Sequence, residues 1–151
     1  MIAVVDESAV RAALSEVVDP EIPTISIVDL GIVQRVRVDG GGIEVDLLPT
    51  FVGCPALEMI RSTVADRLAR FGRPVRVDFT YSVPWTTDRL TARGHERLRR
   101  AGIAPPTSGA VTCPHCGSER VAMDNLFGPT LCRSLYYCRN CRQPFEAFKP
   151  I

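Results

Sequence analysis

Ile32-Val-Gln-Arg-Val-Arg-Val38-Asp39-Gly-Gly-Gly42-Ile43-Glu-Val-Asp-Leu-Leu48 holds two strands and the turn between them. In the second half Ile43, Val45 and Leu47 alternate with Glu44 and Asp46, the pattern of a strand with one face buried. Asp39-Gly-Gly-Gly42 supplies the glycines that accept the positive φ of a tight hairpin turn. Upstream, Val10, Leu14, Val17 and Val18 recur at helical spacing after a cap at Asp6 or Ser8. This helix stops at Asp19-Pro20, since the residue before proline avoids the helical region. A turn-rich segment, Glu21–Gly31, leads into the first strand. Downstream, Pro55 opens a helix that runs to about Phe71, with Leu57, Ile60, Val64 and Leu68 as its buried stripe. Gly72-Arg-Pro74 ends it, and Val75–Tyr81 supplies a third strand. The order α-β-β-α-β gives an α+β sandwich over residues 1–84, two helices covering one face of a small sheet.

Near the other end stand Cys113-Pro-His-Cys116 and Cys138-Arg-Asn-Cys141, with 21 residues between them. Each short knuckle points two sulfurs at one ion, so four cysteines in this spacing suit a tetrahedral metal. The expected module is a zinc ribbon over residues 110–151, with zinc as a structural ion. A rubredoxin-like iron site or disulfides are the competing readings. Phe127, Tyr136, Tyr137, Phe145 and Phe148 are expected to pack so small a module, or else to form a docking surface. Cys132 lies outside both knuckles, and three roles are open to it: a buried thiol of the ribbon, exchange with a metal ligand, or pairing with Cys54. His115 sits inside a knuckle pointing away from the metal, and His95 reads as a solvated residue. Residues 85–109 read as a helix of roughly Thr87 to Ala101, rich in arginine, followed by the linker Gly102-Ile-Ala-Pro-Pro-Thr-Ser-Gly109.

The 151 residues carry a formal net charge of only +1, unevenly placed. Residues 1–84 hold 8 basic and 12 acidic side chains, whereas residues 85–151 hold 10 and 5. An acidic front half argues against nucleic-acid binding through Arg89–Arg100. No apolar run approaches the ~18 residues of a membrane span. The N-terminal residues lack a secretory pattern. Paired knuckles without such a signal point to reduced thiols, and the expected location is the cytoplasm. No paired base and nucleophile, phosphate-binding glycine loop or dinucleotide fingerprint is present, so the expectation is a protein that is not an enzyme.

Cys54 precedes Pro55, a residue favoured at the first helical position. The thiol is therefore expected at a helix N-terminus, where free N–H groups and the dipole lower a thiol pKa. Gly53 keeps the approach to the sulfur open. The bland alternative is a small buried apolar residue. Asp19, Glu21 and Asp29 read as turn-forming residues, as an acidic partner surface, or as an aid to metal capture. Thr50 is placed to hydrogen-bond near the thiol or to be an ordinary loop hydroxyl.

Val18-Asp-Pro-Glu-Ile-Pro23, Ile27-Val-Asp-Leu-Gly-Ile-Val33 and Pro49-Thr-Phe-Val-Gly-Cys-Pro55 resemble the SufT-like domain of iron–sulfur assembly proteins. The second half resembles, at Trp85–Gly94, Ile103–Pro106, the knuckles, Phe127–Tyr136 and Pro144–Lys149, the D-protein (PaaD) family of the bacterial phenylacetyl-CoA epoxidase system. The first resemblance covers about residues 8–82 and the second nearly the whole chain. Together they imply an accessory role in aerobic phenylacetate degradation and a part in maturing iron–sulfur proteins. They imply Cys54 as the functional thiol, holding iron or a cluster transiently, with Asp29 and Thr50 as supporting residues. The partners implied are the iron–sulfur reductase, the di-iron oxygenase, or both. One thiol does not hold a cluster alone, so a second copy, a partner or a small thiol is required. The reading from a different class is a structural or regulatory component of the epoxidase complex.

Overall fold

The hairpin forms where the sequence places it, but of its three glycines only Gly42 takes the expected positive φ, at 135°. β1 (Val33–Asp39) and β2 (Gly42–Leu47) pair antiparallel with Asp39 opposite Gly42. Gly40-Gly41 is left as a two-residue loop, and the Asp39 carboxylate accepts the Gly41 N–H at 2.7 Å. Val33 and Val36 are both buried although three residues apart. A register shift between Val33 and Arg35 makes this possible, because one extra residue turns the strand over. The computed structural model describes residues 4–50 and 54–150.

α1 (Glu7–Leu14) is capped by Asp6, whose carboxylate accepts the Ala9 N–H at 2.8 Å. It ends before the Asp19-Pro20 stop read from the sequence. Ser15 Oγ donates to Arg11 O, and residues 15–17 continue as tighter turns. Val18 is thereby freed to bridge to Ser26. The turn-rich segment beyond buries Ile22, Ile25, Ile27, Leu30 and Ile32. Its backbone groups are satisfied by Asp19 N to Ile25 O, Ile27 N to Val17 O and Leu48 N to Ile32 O.

α2 (Ala56–Leu68) and a single 3-10 turn at Ala69–Phe71 carry the chain back to β3 (Val75–Phe79). β3 lies parallel to β2, with Ile43 opposite Val75 and Leu47 opposite Phe79, giving the order β1-β2-β3. A parallel neighbour requires such a crossover. Ala56, Ile60, Val64 and Leu68 form the buried stripe, while Leu57 is half-buried. Gly42 is required where the strands converge. Its φ is 135°, and a Cβ there would stand 2.3 Å from Pro74 O, which accepts the Ile43 N–H at 2.8 Å.

Trp85 closes this first unit: its ring is buried and its Nε1 donates to Leu30 O at 2.8 Å. A second unit begins at Thr86. A 3-10 turn, Thr87–Arg89, precedes α3 (Ala92–Arg100), so the expected helix of Thr87 to Ala101 is broken. The break lies at Thr91, whose hydroxyl caps α3 by accepting the Gly94 N–H at 3.0 Å. Four strands follow, β4 (Ile103–Ala104), β5 (Val121–Asn125), β6 (Arg133–Cys138) and β7 (Pro144–Phe148), in the order β4-β7-β6-β5. The stretch 102–109 therefore differs from a linker at its start, since Ile103 and Ala104 are buried and pair parallel with β7. Both units are open-sheet α+β structures.

Candidate metal centre and thiol site

The two knuckles are copies of one local geometry. The N–H of the first cysteine of each donates to the carbonyl five residues on, Cys113 to Ser118 and Cys138 to Gln143, both at 2.9 Å. In both, the residue after the second cysteine is left-handed: Gly117 at φ 77° and Arg142 at φ 60°. Peptide N–H groups point at sulfur, His115 N to Cys113 Sγ at 3.4 Å and Cys141 N to Cys138 Sγ at 3.5 Å. Asn140 Nδ2 approaches Cys116 Sγ at 3.6 Å. Sulfurs and donors are thus placed by backbone turns, with Val121, Tyr136 and Phe145 packed behind them.

All four Sγ atoms lie within 4.8 Å of one another. Cys113 and Cys141 are 3.7 Å apart, and Cys116 and Cys138 are 3.6 Å apart. A tetrahedral ion bound at ~2.3 Å sets its sulfurs about 3.8 Å apart, whereas a disulfide needs about 2.05 Å. The arrangement fits a thiophilic cation and excludes the disulfide reading. Acidity is unequal among the four thiols. The Asn140 amide and then the Ser118 backbone hold Cys116 down at about 6, while burial pushes Cys141 up to about 12. Crowded thiols without a cation release protons one after another, and a bound cation deprotonates them together.

Cys54 lies half-buried at the residue before Pro55, and its carbonyl accepts the Leu57 N–H of the opening turn at 3.2 Å. The Ala56 N–H donates to the thiol, as the helix-start placement requires. The expected lowering of its pKa is not found. Burial raises it, the Ala56 bond opposes that, and the charges of Glu21 and Asp19 raise it further. The thiol is therefore neutral at physiological pH. Gly53 lies outside the described residues.

Asp19 does form a turn: its Oδ1 accepts the N–H groups of Glu21 and Ile22 at 2.8 and 2.9 Å. That turn also sets the Asp19 and Glu21 charges near Cys54. Asp29 is half-buried, with its N–H on Ser26 Oγ at 3.0 Å, and Thr50 is half-buried in the loop before Cys54. Glu21 and Asp19 are carboxylates whose charge acts on the thiol. Cys132 is half-buried, with Thr130 Oγ1 3.1 Å from its sulfur, and stands outside the four-sulfur cluster. His115 is exposed and His95 half-exposed. Phe145 and Phe148 are buried and Tyr136 is stacked on Phe145, but Phe127 and Tyr137 are exposed instead of packing the ribbon. Sequence reasoning missed Arg142, for which position alone, matching Gly117 in the first knuckle, was the available signal.

Residues 104–149 match the family described as PaaD zinc beta ribbon domain, and residues 7–79 match the family described as iron-sulfur cluster assembly protein. An Escherichia coli (strain K12) protein, named as the D component of a "Putative 1,2-phenylacetyl-CoA epoxidase", is 40% identical over 149 residues, covering 93% of this chain and 90% of its own. The chain belongs to this PaaD family. Its front half is similar to an Fe-S protein maturation auxiliary factor, SufT, of Staphylococcus aureus (strain USA300), at 38% identity over 78 residues, 50% of this chain and 88% of that one. A crystal structure of a domain of unknown function from Bacillus anthracis overlays with a TM-score of 0.57 at 28% identity, covering 61% of this PaaD-family chain and 90% of its own. Among the described residues no helix is long and apolar enough to cross a membrane.

Proposed function

We propose that this chain is a non-catalytic factor that assembles or delivers iron–sulfur clusters for the phenylacetyl-CoA epoxidase, acting in the cytoplasm on the system's iron–sulfur reductase. The cargo is iron or a cluster, held transiently by Cys54 with further ligands from a second copy, the client or a small thiol. The observation that carries this reading is the placement of Cys54. It opens α2 with a peptide N–H on its sulfur and two carboxylates nearby, inside the segment that matches the assembly family. A neutral, partly shielded thiol suits a carrier, because it gains charge only when a cation displaces its proton. Asp29 and Thr50 belong to the support of that loop. Cys113, Cys116, Cys138 and Cys141 hold zinc as a structural ion. Zinc there ties the knuckles together and, with four sulfurs bound, has no position for substrate.

The test is co-production of the reductase with wild-type chain or Cys54→Ser, followed by iron and sulfide analysis of the purified reductase. Lower cluster content with Cys54→Ser is the expected result, and equal content would refute the carrier role. The raised thiol pKa favours a second reading, a structural or regulatory component in which Cys54 is simply a buried thiol. That reading expects stable co-purification with the oxygenase, insensitive to Cys54→Ser.

A further inference from the structure

β3 is the unguarded edge of the first sheet. Edges elsewhere in the chain carry features that discourage pairing with another strand. β1 and β5 each have a register shift, between Val33 and Arg35 and between Met123 and Asn125. β4 is two residues long and runs into Pro105-Pro106. β3 is five residues in unbroken register with β2, with no other strand beside it among the described residues. Its outward backbone groups follow from its bonds to β2. Pro74 O accepts the Ile43 N–H and Thr80 N donates to Leu47 O, each at 2.8 Å. The backbone groups of Pro74, Arg76, Asp78 and Thr80 therefore turn towards β2, and alternate residues of a strand turn opposite ways. The N–H and C=O of Val75, Val77 and Phe79 are left facing the open edge.

The side chains of β3 select what pairs there. Val75 and Phe79 are half-buried on either side of buried Val77, while Arg76 and Asp78 stand on the other face, 75% and 47% exposed. Consider two antiparallel β3 strands related by a two-fold axis at Val77. Val77 of one copy meets Val77 of the other and Val75 meets Phe79, so outward groups meet outward groups in hydrogen-bonded pairs. Arg76 of each copy then lies opposite Asp78 of the other, in the closer, non-hydrogen-bonded kind of pair, with Cβ atoms about 4.5–5.5 Å apart. Arg76 and Asp78 already meet at 2.7 Å within one chain, and the cross-strand neighbour adds to that contact. Asp78 also lies beside Asp46 in the register of β2 with β3, a like-charge neighbour that an arginine on its open side offsets. Slipping the register by two residues sets Arg76 against Arg76 or Asp78 against Asp78. Slipping it by one sets outward groups against inward ones. The strand is thus complementary to itself in one register, as a two-fold interface requires. A second copy carries that charge order by necessity.

We propose that two copies of this chain pair through β3, antiparallel about Val77, joining both first units in one continuous sheet. The pairing stands on the fold and not on Cys54 as carrier. The test is sedimentation of the full metal-loaded chain over about 1 μM to 1 mM. Wild type should pass from monomer to dimer in that range, and Arg76→Glu or Asp78→Arg should each raise the dissociation constant about 10-fold or more. Both positions are exposed, and Trp85 fluorescence and metal content equal to wild type certify the fold. Mixing the two variants is the decisive arm. One strand then carries only acids and the other only bases, so an equimolar mixture should dimerise at least as tightly as wild type. The double variant Arg76→Glu/Asp78→Arg should recover self-pairing. A wild type that stays monomeric, single variants that dimerise as wild type does, or a mixture no tighter than its components would overturn the proposal. Cys54→Ser should dimerise as wild type. Failure of the carrier reading would appear only as unchanged client clusters with that variant, leaving the sedimentation result intact.

Discussion

Replacing Arg142 by glycine should tighten the metal centre although no ligand changes. Arg142 holds φ at 60°, as Gly117 holds 77° at the matching place in the other knuckle. A side chain in the left-handed region costs roughly 1–2 kcal/mol. Glycine removes that strain but adds roughly 0.5–1 kcal/mol of freedom lost on folding. The net gain for Arg142→Gly is about 0–1.5 kcal/mol, with a midpoint of about 0.75 kcal/mol. The knuckle is ordered as its ion binds, so the gain appears as metal affinity, about 2–5-fold around that midpoint. Gly117→Ala is the reciprocal experiment. Nothing lies within 4 Å of a Cβ there, so its cost is backbone strain alone, of similar size and opposite sign. Arg142→Ala keeps the strain and loses the arginine side chain, and should leave affinity unchanged. Competition with a chromophoric chelator at fixed pH measures all three. If Arg142→Ala tightens binding as much as Arg142→Gly, the guanidinium and not the backbone was at fault. If Gly117→Ala is silent, the left-handed argument fails outright.

Metal removal by a strong chelator should unfold the second unit while leaving Trp85 fluorescence unchanged, because that ring is buried in the first unit. Alkaline pH should destabilise the first unit through Cys54. A pKa raised from its ordinary 9.0 contributes stability that is complete below pH 9 and is lost as pH climbs through the folded value. Urea melts at increasing pH should therefore fall more steeply for wild type than for Cys54→Ala. Glu21→Gln removes a charge that opposes the thiolate, so Cys54 should alkylate several-fold faster near neutral pH, measured by mass spectrometry with iodoacetamide. Gly42→Ala should cost about 2–4 kcal/mol in the first unit, since its Cβ would lie on the Pro74 carbonyl that receives β2; a loss below about 1 kcal/mol by denaturant melts would contradict the close approach.

What the sequence discloses here is what its neighbours in sequence determine. The Gly40-Gly41 turn, the alternation of Ile43, Val45 and Leu47, and the stripe at Ile60, Val64 and Leu68 are short-range patterns, and each appears where expected. The clustering of Cys113, Cys116, Cys138 and Cys141 was legible because each knuckle spans four residues. β4 was not. Two residues beside Pro105-Pro106 have no periodicity, and their partner is Glu146-Ala147, over forty residues on. Phe127 follows the outward of its two sequence readings for a reason the sequence does not carry: aromatic character suggests burial, while hydrogen bonds at Asn125, Gly128 and Thr130 hold the loop with this ring exposed.

Cys54 shows how local and distant effects divide one property. The local signal, a cysteine before a proline that opens a helix, correctly places a peptide N–H on the sulfur. A helix end contributes roughly half a charge, and that influence competes with desolvation and with the full charges of Glu21 and Asp19, more than thirty residues upstream. Here the distant terms win, and the thiol stays protonated. Burial is the largest influence against the anion and the carboxylates add to it; on the carrier reading those same carboxylates would attract a metal cation. A thiol acting as a nucleophile needs the opposite arrangement. Removing Glu21 should therefore raise alkylation while weakening iron loading, and a variant in which both rise together would separate the acidic turn from cargo capture.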